Sequence, residues 1–166
     1  MLLDDSFRGV EVVREFDGPV VDVGSGGGVP GIPLAASLPD REVTLLEATR
    51  RKAKFLERWT RELPNLRVVW GRAEEQETDS FGAAVAKALA PPAVAMEWCL
   101  PLVAPGGAAI LWVGGSIDPA SLGPTAELLG AEPPELRNGL LVFRKVRKTP
   151  EGFPRRVGVA RKRPLA

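Results

Sequence analysis

Two periodicities alternate along the chain: short apolar runs of strand length, and longer stretches whose apolar residues recur at helical spacing. Residues 4–16 place Phe7, Val10, Val13 and Phe16 at helical intervals and predict an amphipathic helix capping one end of a sheet. VVDV at residues 20–23 predicts a strand, after which a glycine-rich turn leads to a helix opened by Gly31, Ile32, Pro33 and Leu34. EVTLLE at residues 42–47, behind the Pro39-Asp40 turn, predicts a second strand. The following helix, over 49–63, is expected to be capped by Thr49, with Phe55, Leu56, Trp59 and Leu63 on its apolar face. Its other face carries Arg50, Arg51, Lys52, Lys54, Arg58 and Arg61, a run that reads first as a solvated surface and second as a phosphate contact.

Residues 66–70 predict a third strand, and GAAVAKAL at 82–89 a fourth, interrupted by Lys87. Pro91 and Pro92 start a helix in which Val94, Met96, Trp98 and Cys99 read as core. A fifth strand is expected at 107–113 after a Pro-Gly-Gly turn, a helix at 121–130, and a closing antiparallel pair from 135–137 and 140–146. The last residues, KTPEGFPRRVGVARKRPLA, predict an extended surface tail. The alternation of strands and helices implies an α/β fold, a doubly wound and mostly parallel sheet with an antiparallel C-terminal strand. The expected division is one domain over residues 1–148 and a basic tail over 149–166.

Composition changes this picture in three places. The net charge of +1 conceals ten Lys or Arg from Arg137 onward against Glu151 alone, so a basic tail follows an acidic body. Such a tail is equally a phosphate-binding feature and a solubilising one. His and Tyr are absent, which removes two common general bases and the commonest metal ligand, so no metal site and no catalytic acid or base is expected. The lone Cys99 permits no internal disulfide, and no secretory leader is seen, so a cytoplasmic protein is expected. The uncharged stretch 98–117 is broken by Pro101, Pro105, Gly106 and Gly107 and does not read as a membrane span.

The glycine turn carries the candidate chemistry. Gly26, Gly28 and Gly31 satisfy the dinucleotide pattern G-x-G-x-x-G, while Asp22, Gly24, Gly26 and Gly28 satisfy an acidic residue followed by x-G-x-G-x-G. A pyrophosphate at a helix N-terminus would be opposed by the strand-tip carboxylate of Asp22. S-adenosylmethionine carries an ammonium and a sulfonium instead, and Pro30 removes an amide that a pyrophosphate loop would use. Both points favour the methyl donor. Glu47, nineteen positions beyond Gly28 at a strand end, is where an acid accepts ribose hydroxyls. Backbone groups at Ala73 and Glu74 are candidates for reading an adenine edge, and Lys87 sits where ligands bind in open α/β sheets.

Several segments together resemble the bacterial 16S ribosomal RNA guanine-N7 methyltransferases, the glucose-inhibited division protein B family. They are VVDVGSGGGVPGIPLA, TLLEATRRKAKFLERWTREL, WGRAEE, AKALAPP, and the terminal FPRRVG followed by PL. The resemblance implies a class I methyltransferase, Rossmann-like fold, S-adenosylmethionine as cofactor, and 16S ribosomal RNA or the small subunit as partner. It implies cofactor contacts at Gly24 and Val29, at Glu47, Ala48 and Thr49, at Ala73 and Glu74, and at Lys87, and Asp22, Ser25, Gly26 and Gly28 of the same turn complete the expected cofactor-binding set. Arg155 and Arg156 match basic positions of the family's tail and, with Arg161, are expected to face RNA. Three departures stand out. The Asp5-Ser6 pair comes at once after the start, where the family has further helices; Lys87 replaces a common arginine; and Val113 replaces a common lysine.

Methyl transfer to guanine N7 needs alignment and desolvation rather than a base, because N7 offers a lone pair with no proton to remove. A monomer is expected, with no membrane partner. Two other readings stay open at this point: a truncated, non-catalytic cofactor-binding or ribosome-interaction module, and a nucleotide-dependent oxidoreductase using the overlapping glycine pattern.

Overall fold

A computed structural model of the chain describes the backbone of residues 2–166 and the side chains from Phe7 onward. Seven strands form one sheet: β1 (Val20–Val23), β2 (Val43–Glu47), β3 (Leu66–Trp70), β4 (Phe81–Lys87), β5 (Val103–Trp112), β6 (Glu135–Arg137) and β7 (Leu140–Arg144). Their order is β3-β2-β1-β4-β5-β7-β6. Strands β1 to β5 pair in parallel, and β7 runs antiparallel to both β5 and β6. The sheet is therefore doubly wound with a closing antiparallel hairpin, as the alternation of elements predicts.

Strand alternation divides the core between the two faces. On one face Val20, Val43, Leu45, Val85 and Ile110 pack under α1 (Leu2–Arg14) and α2 (Gly31–Ser37), joined by Leu56 of α3 (Arg50–Leu56). On the other, Val21, Leu46, Ala84, Leu111 and Phe143 pack under α4 (Pro92–Cys99) and α5 (Gly123–Leu128). Every residue of β1 and β2 is buried. Strand β3 forms one sheet edge and leaves Trp70 at 60% exposure.

Several sequence expectations are corrected here. In the first helix Val12 joins Val10, Val13 and Phe16 in the core, while Phe7 is exposed. The helix expected over 49–63 stops at Leu56 and tightens into a 3₁₀ turn, Glu57–Arg61. Phe55 already lies off the buried face of α3, the change of twist shifts Trp59 off it as well, and only Leu56 of the expected four is fully buried. Lys87 ends β4 rather than interrupting it, because Ala88 turns to a left-handed backbone, φ 53°. The Pro-Gly-Gly turn lies within β5, whose pairing with β4 shifts register there. The helix at 121–130 is a 3₁₀ turn, Pro119–Leu122, followed by the short α5.

The C-terminal residues are not an extended tail. Lys145, buried despite its charge, donates to the Leu100 and Val103 carbonyls at 2.7 and 2.9 Å, to Thr149 Oγ1 at 2.9 Å and to Asp79 Oδ1 at 3.3 Å. A buried ammonium with this many acceptors is a satisfied anchor. From it the chain crosses to α4, where Phe153 packs on the core and α6 (Val159–Lys162) buries Ala160. Among the described residues no helix is long and apolar enough to cross a membrane.

Candidate functional site

Strand β1 lies between β2 and β4, so the chain leaving its end must squeeze between neighbours. The Gly24 and Ser25 amides both donate to the Leu46 carbonyl, at 2.8 and 3.2 Å. Gly24 has φ +70°, a backbone conformation that calls for glycine, and a Cβ there would also displace Leu89 Cδ1, 2.3 Å away. The Ser25 hydroxyl donates to the Asp22 carbonyl at 2.8 Å, and the Gly28 amide donates to the Ser25 carbonyl at 2.7 Å, closing the turn.

Glu47 ties this turn to the next loop. Only 5% exposed at the end of β2, it accepts from the Gly26 amide at Oε2 and from the Thr49 amide at Oε1, both at 2.8 Å. Thr49 holds the N-cap position of α3, yet its hydroxyl makes no capping bond. The carboxylate of Glu47 thus fixes the relative position of two loops that diverge from neighbouring strands.

Asp22 has a different place from the one expected. It is fully buried, its side chain turned to the α2 face, where Oδ2 accepts from the Gly31 amide at 2.9 Å. Oδ1 has no hydrogen-bond partner among the described residues. Burial pushes its carboxyl up to about 7, with the Gly31 bond acting in the opposite direction. A carboxylate so enclosed does not touch a ligand; it positions the glycine turn from behind. Gly31 must be glycine for the same contact, since a Cβ would lie 2.7 Å from Asp22 Oδ2 and 2.2 Å from Leu45 Cδ2. Gly28 is likewise buried away from the cavity, against Ile32 and Leu56.

The loops after β1 to β4 enclose a cavity of about 600 Å³ at the carboxyl ends of the strands. That is the size range of small-molecule and cofactor sites. Gly24, Ser25, Gly26 and Val29 form its floor, with Glu47, Ala48 and Thr49 along one wall. Ala73 and Glu74, on the 3₁₀ turn Ala73–Glu75, close a second side, and Lys87 stands at the end of β4. Ten of the twelve expected cofactor residues therefore meet in one place, and Asp22 and Gly28 support them from outside. Cys99 is buried in the core beneath, where burial pushes its thiol well above its usual range.

Hydrogen bonding within the turn bears on which ligand fits. The Gly31 amide is taken by Asp22, the Gly28 amide by Ser25, the Gly26 amide by Glu47 and the Ile32 amide by the Gly28 carbonyl, while Pro30 and Pro33 have none. A pyrophosphate would find the Gly26, Gly28, Gly31 and Ile32 amides already engaged, although the G-x-G-x-x-G spacing is present.

Several lining residues were not assigned to the cavity from sequence. Trp98, which reads as core, lines it, and Arg161, which reads as an RNA contact, lies over the Trp98 ring at 5.7 Å. The Gly158 amide donates to Glu74 Oε1 at 3.2 Å, so the C-terminal segment reaches the wall formed by Ala73 and Glu74. Arg155 is also redirected. Its guanidinium is bidentate on the buried carboxylate of Glu97, through Nε to Oε1 and through Nη2 to Oε2 at 2.6 Å, and it also bonds the Arg163 carbonyl. It faces inward because Glu97, 2% exposed, needs a cation. Arg156 alone of the three remains a plain surface cation. No periodicity links residues 97 and 155, so composition gave no signal for this pair.

The family model described as rRNA small subunit methyltransferase G, GidB, matches residues 1–118. Ribosomal RNA small subunit methyltransferase G of Trichormus variabilis is 34% identical over 186 residues, spanning 97% of this chain and 76% of that protein. The protein of the same name from Rubrobacter xylanophilus is 39% identical over 170 residues, spanning 89% and 65%. Among solved structures, the antibiotic-resistance methyltransferase Kmr aligns with a TM-score of 0.65 at 15% identity, over 81% of this chain and 89% of that one. Coclaurine N-methyltransferase, bound to N-methylheliamine and SAH, aligns at 0.56 with 17% identity, over 66% and 34%. At those identities the structural likeness is one of fold. The family model and the relatives matched over most of this chain go further, and with the glycine turn and cavity at the carboxyl edge of the sheet, the chain belongs to the rRNA small subunit methyltransferase G family.

Proposed function

We propose that the protein transfers a methyl group from S-adenosylmethionine to N7 of a guanine in 16S ribosomal RNA. The observation that carries the cofactor half is the cavity at the carboxyl edge, with the Glu47 carboxylate on its wall and the Gly26, Gly28 and Gly31 amides of the fingerprint engaged within the protein rather than offered to a pyrophosphate. Its donor set suits the proposed group: a carboxylate for ribose hydroxyls, backbone at Gly24 for an aminoacyl end, and backbone at Ala73 and Glu74 for an adenine edge. When bound, S-adenosylmethionine supplies an electrophilic methyl group on a sulfonium. Glu47 orients the ribose while keeping the two loops together, and Lys87 contributes positive charge at the β4 tip. Asp22 acts through Gly31, as a positioning residue. Because N7 presents a lone pair and no proton, the chain's own part is alignment and exclusion of water, consistent with a sequence lacking His and Tyr. We assign no general acid or base.

The test is incubation with tritium-labelled S-adenosylmethionine and small subunits lacking the modification. Label is expected in the RNA at a position that becomes sensitive to reductive cleavage at N7-methylguanine. Cofactor binding with no label in the RNA would remove the enzymatic reading.

A further inference from the structure

Beside the cofactor cavity, and sharing Gly26, Gly27, Thr49 and Lys52 with it, lies a shallow hollow of about 530 Å³ completed by Arg51 and Phe55. The Phe55 ring is 47% exposed and has the Arg58 guanidinium over it at 4.8 Å. A short distance along the same edge Trp70, 60% exposed, carries the Arg50 guanidinium at 5.2 Å, and Trp59 is 38% exposed. Six of the twelve residues from Arg50 to Arg61 are Lys or Arg and only Glu57 is acidic. Among the described residues none of these six pairs with a carboxylate.

These features conflict with an ordinary solvated face. An exposed aromatic with helical spacing to the core is expected to turn inward, yet Phe55 stands on the open side of α3 beside buried Leu56, and Trp59, in the 3₁₀ turn that follows, also stays out. Aromatic rings interleaved with guanidinium groups make the surface on which unpaired bases stack while their phosphates are neutralised. An acidic protein partner would use the charges without needing the open hollow. The C-terminal segment, the other basic stretch, has Lys145 buried and Arg155 committed to Glu97.

We infer that the Phe55 hollow takes an unpaired nucleobase of the RNA substrate, next to the methyl acceptor but distinct from it, with Arg51 and Arg58 on the flanking phosphates. The inference rests on RNA being the substrate, as proposed above. It assigns the main RNA-holding role to the α3 edge of the sheet.

The test uses the full chain and two probes, a short labelled single-stranded RNA and a duplex of the same sequence. Phe55→Ala is expected to weaken single-strand binding on the order of ten-fold and leave duplex binding unchanged, with Phe55→Trp restoring it. Replacing Arg51 and Arg58 with Gln is expected to lower the salt dependence by about 0.7 in log–log slope per cation removed. Calorimetric S-adenosylmethionine binding and the urea midpoint report folding and the cofactor site, and both are expected to stay at the wild-type value in every variant. Equal losses on single strand and duplex, or no loss on either, would overturn the stacking site. Preferential binding of anionic phosphatidylserine vesicles through the same residues, with no effect on RNA, would also overturn it. These binding readouts need no methyl transfer, so a wild-type protein that labels no RNA would fail the proposed function without deciding this inference in its favour.

Discussion

Asp22 offers the sharpest quantitative test of the site's architecture, because the structure makes it a buried carboxyl rather than a ligand contact. Its carboxyl moves from an ordinary 3.8 to about 7 on folding. Below about pH 4 both the folded and unfolded chains hold the proton, and stability is at its full value. Between about pH 4 and pH 7 only the folded chain holds it, so each unit rise in pH costs about 1.4 kcal/mol, and the total loss is about 4 kcal/mol. Above pH 7 the group is ionised in both states and the loss stays constant. Asp22→Asn cannot ionise. Its amide oxygen keeps the Gly31 bond, and its nitrogen takes the Oδ1 position, which has no partner, at a pH-independent cost of about 1–3 kcal/mol. Urea unfolding followed by tryptophan fluorescence, on wild type and variant at matched pH, gives the difference directly and cancels every other titrating group. The variant's stability relative to wild type is expected to climb by about 4 kcal/mol from pH 4 to pH 7 and then level. A difference that stays flat over that range would refute the buried, protonated Asp22.

Other outcomes follow from the same geometry. Glu47→Ala removes the acceptor for both the Gly26 and Thr49 amides; at about 1.5–3 kcal/mol for a hydrogen bond to a charged group, S-adenosylmethionine affinity by calorimetry is expected to fall at least ten-fold. Arg155→Ala strands the buried Glu97 carboxylate and is expected to cost about 3–5 kcal/mol in urea unfolding, with Arg155→Lys recovering only part because the fork is lost. A loss within the range of surface pairs would show that the contact opens in solution. Cys99 is expected to react with a thiol reagent only at the rate of global unfolding, since its thiol is buried and held protonated.

The elements were legible where periodicity and burial coincide. Strand β1, the end of β2 at Glu47 and the hairpin of β6 and β7 are each bounded by turn residues and carry apolar runs, so their positions follow from local pattern. For Asp22 the sequence is ambiguous, because an acid at a strand tip beside glycines looks the same whether it points into a cavity or under a helix. Only the alternation of its strand between two buried neighbours decides that it faces Gly31. The Phe55, Leu56, Trp59, Leu63 spacing predicted one apolar face, and the tightening of the helix at Glu57 broke it, a change no single residue announces. The C-terminal segment was the least legible. Its prolines and arginines describe a solvated chain until Glu97, Glu74 and Asp79 are brought beneath it from distant positions.

That docked segment makes the cofactor pocket a shared property of chain regions far apart in sequence. Where one surface serves as both a ligand wall and a docking face for the protein's own C-terminal residues, occupancy and docking are reciprocal: whatever strengthens one must strengthen the other by the same free energy. Saturating the pocket is therefore expected to slow proteolytic clipping near the exposed Gly152, and clipping there is expected to weaken the pocket's grip on its ligand. A C-terminal fusion or tag would act on the same balance, loosening from one end a site whose glycine turn lies at the other.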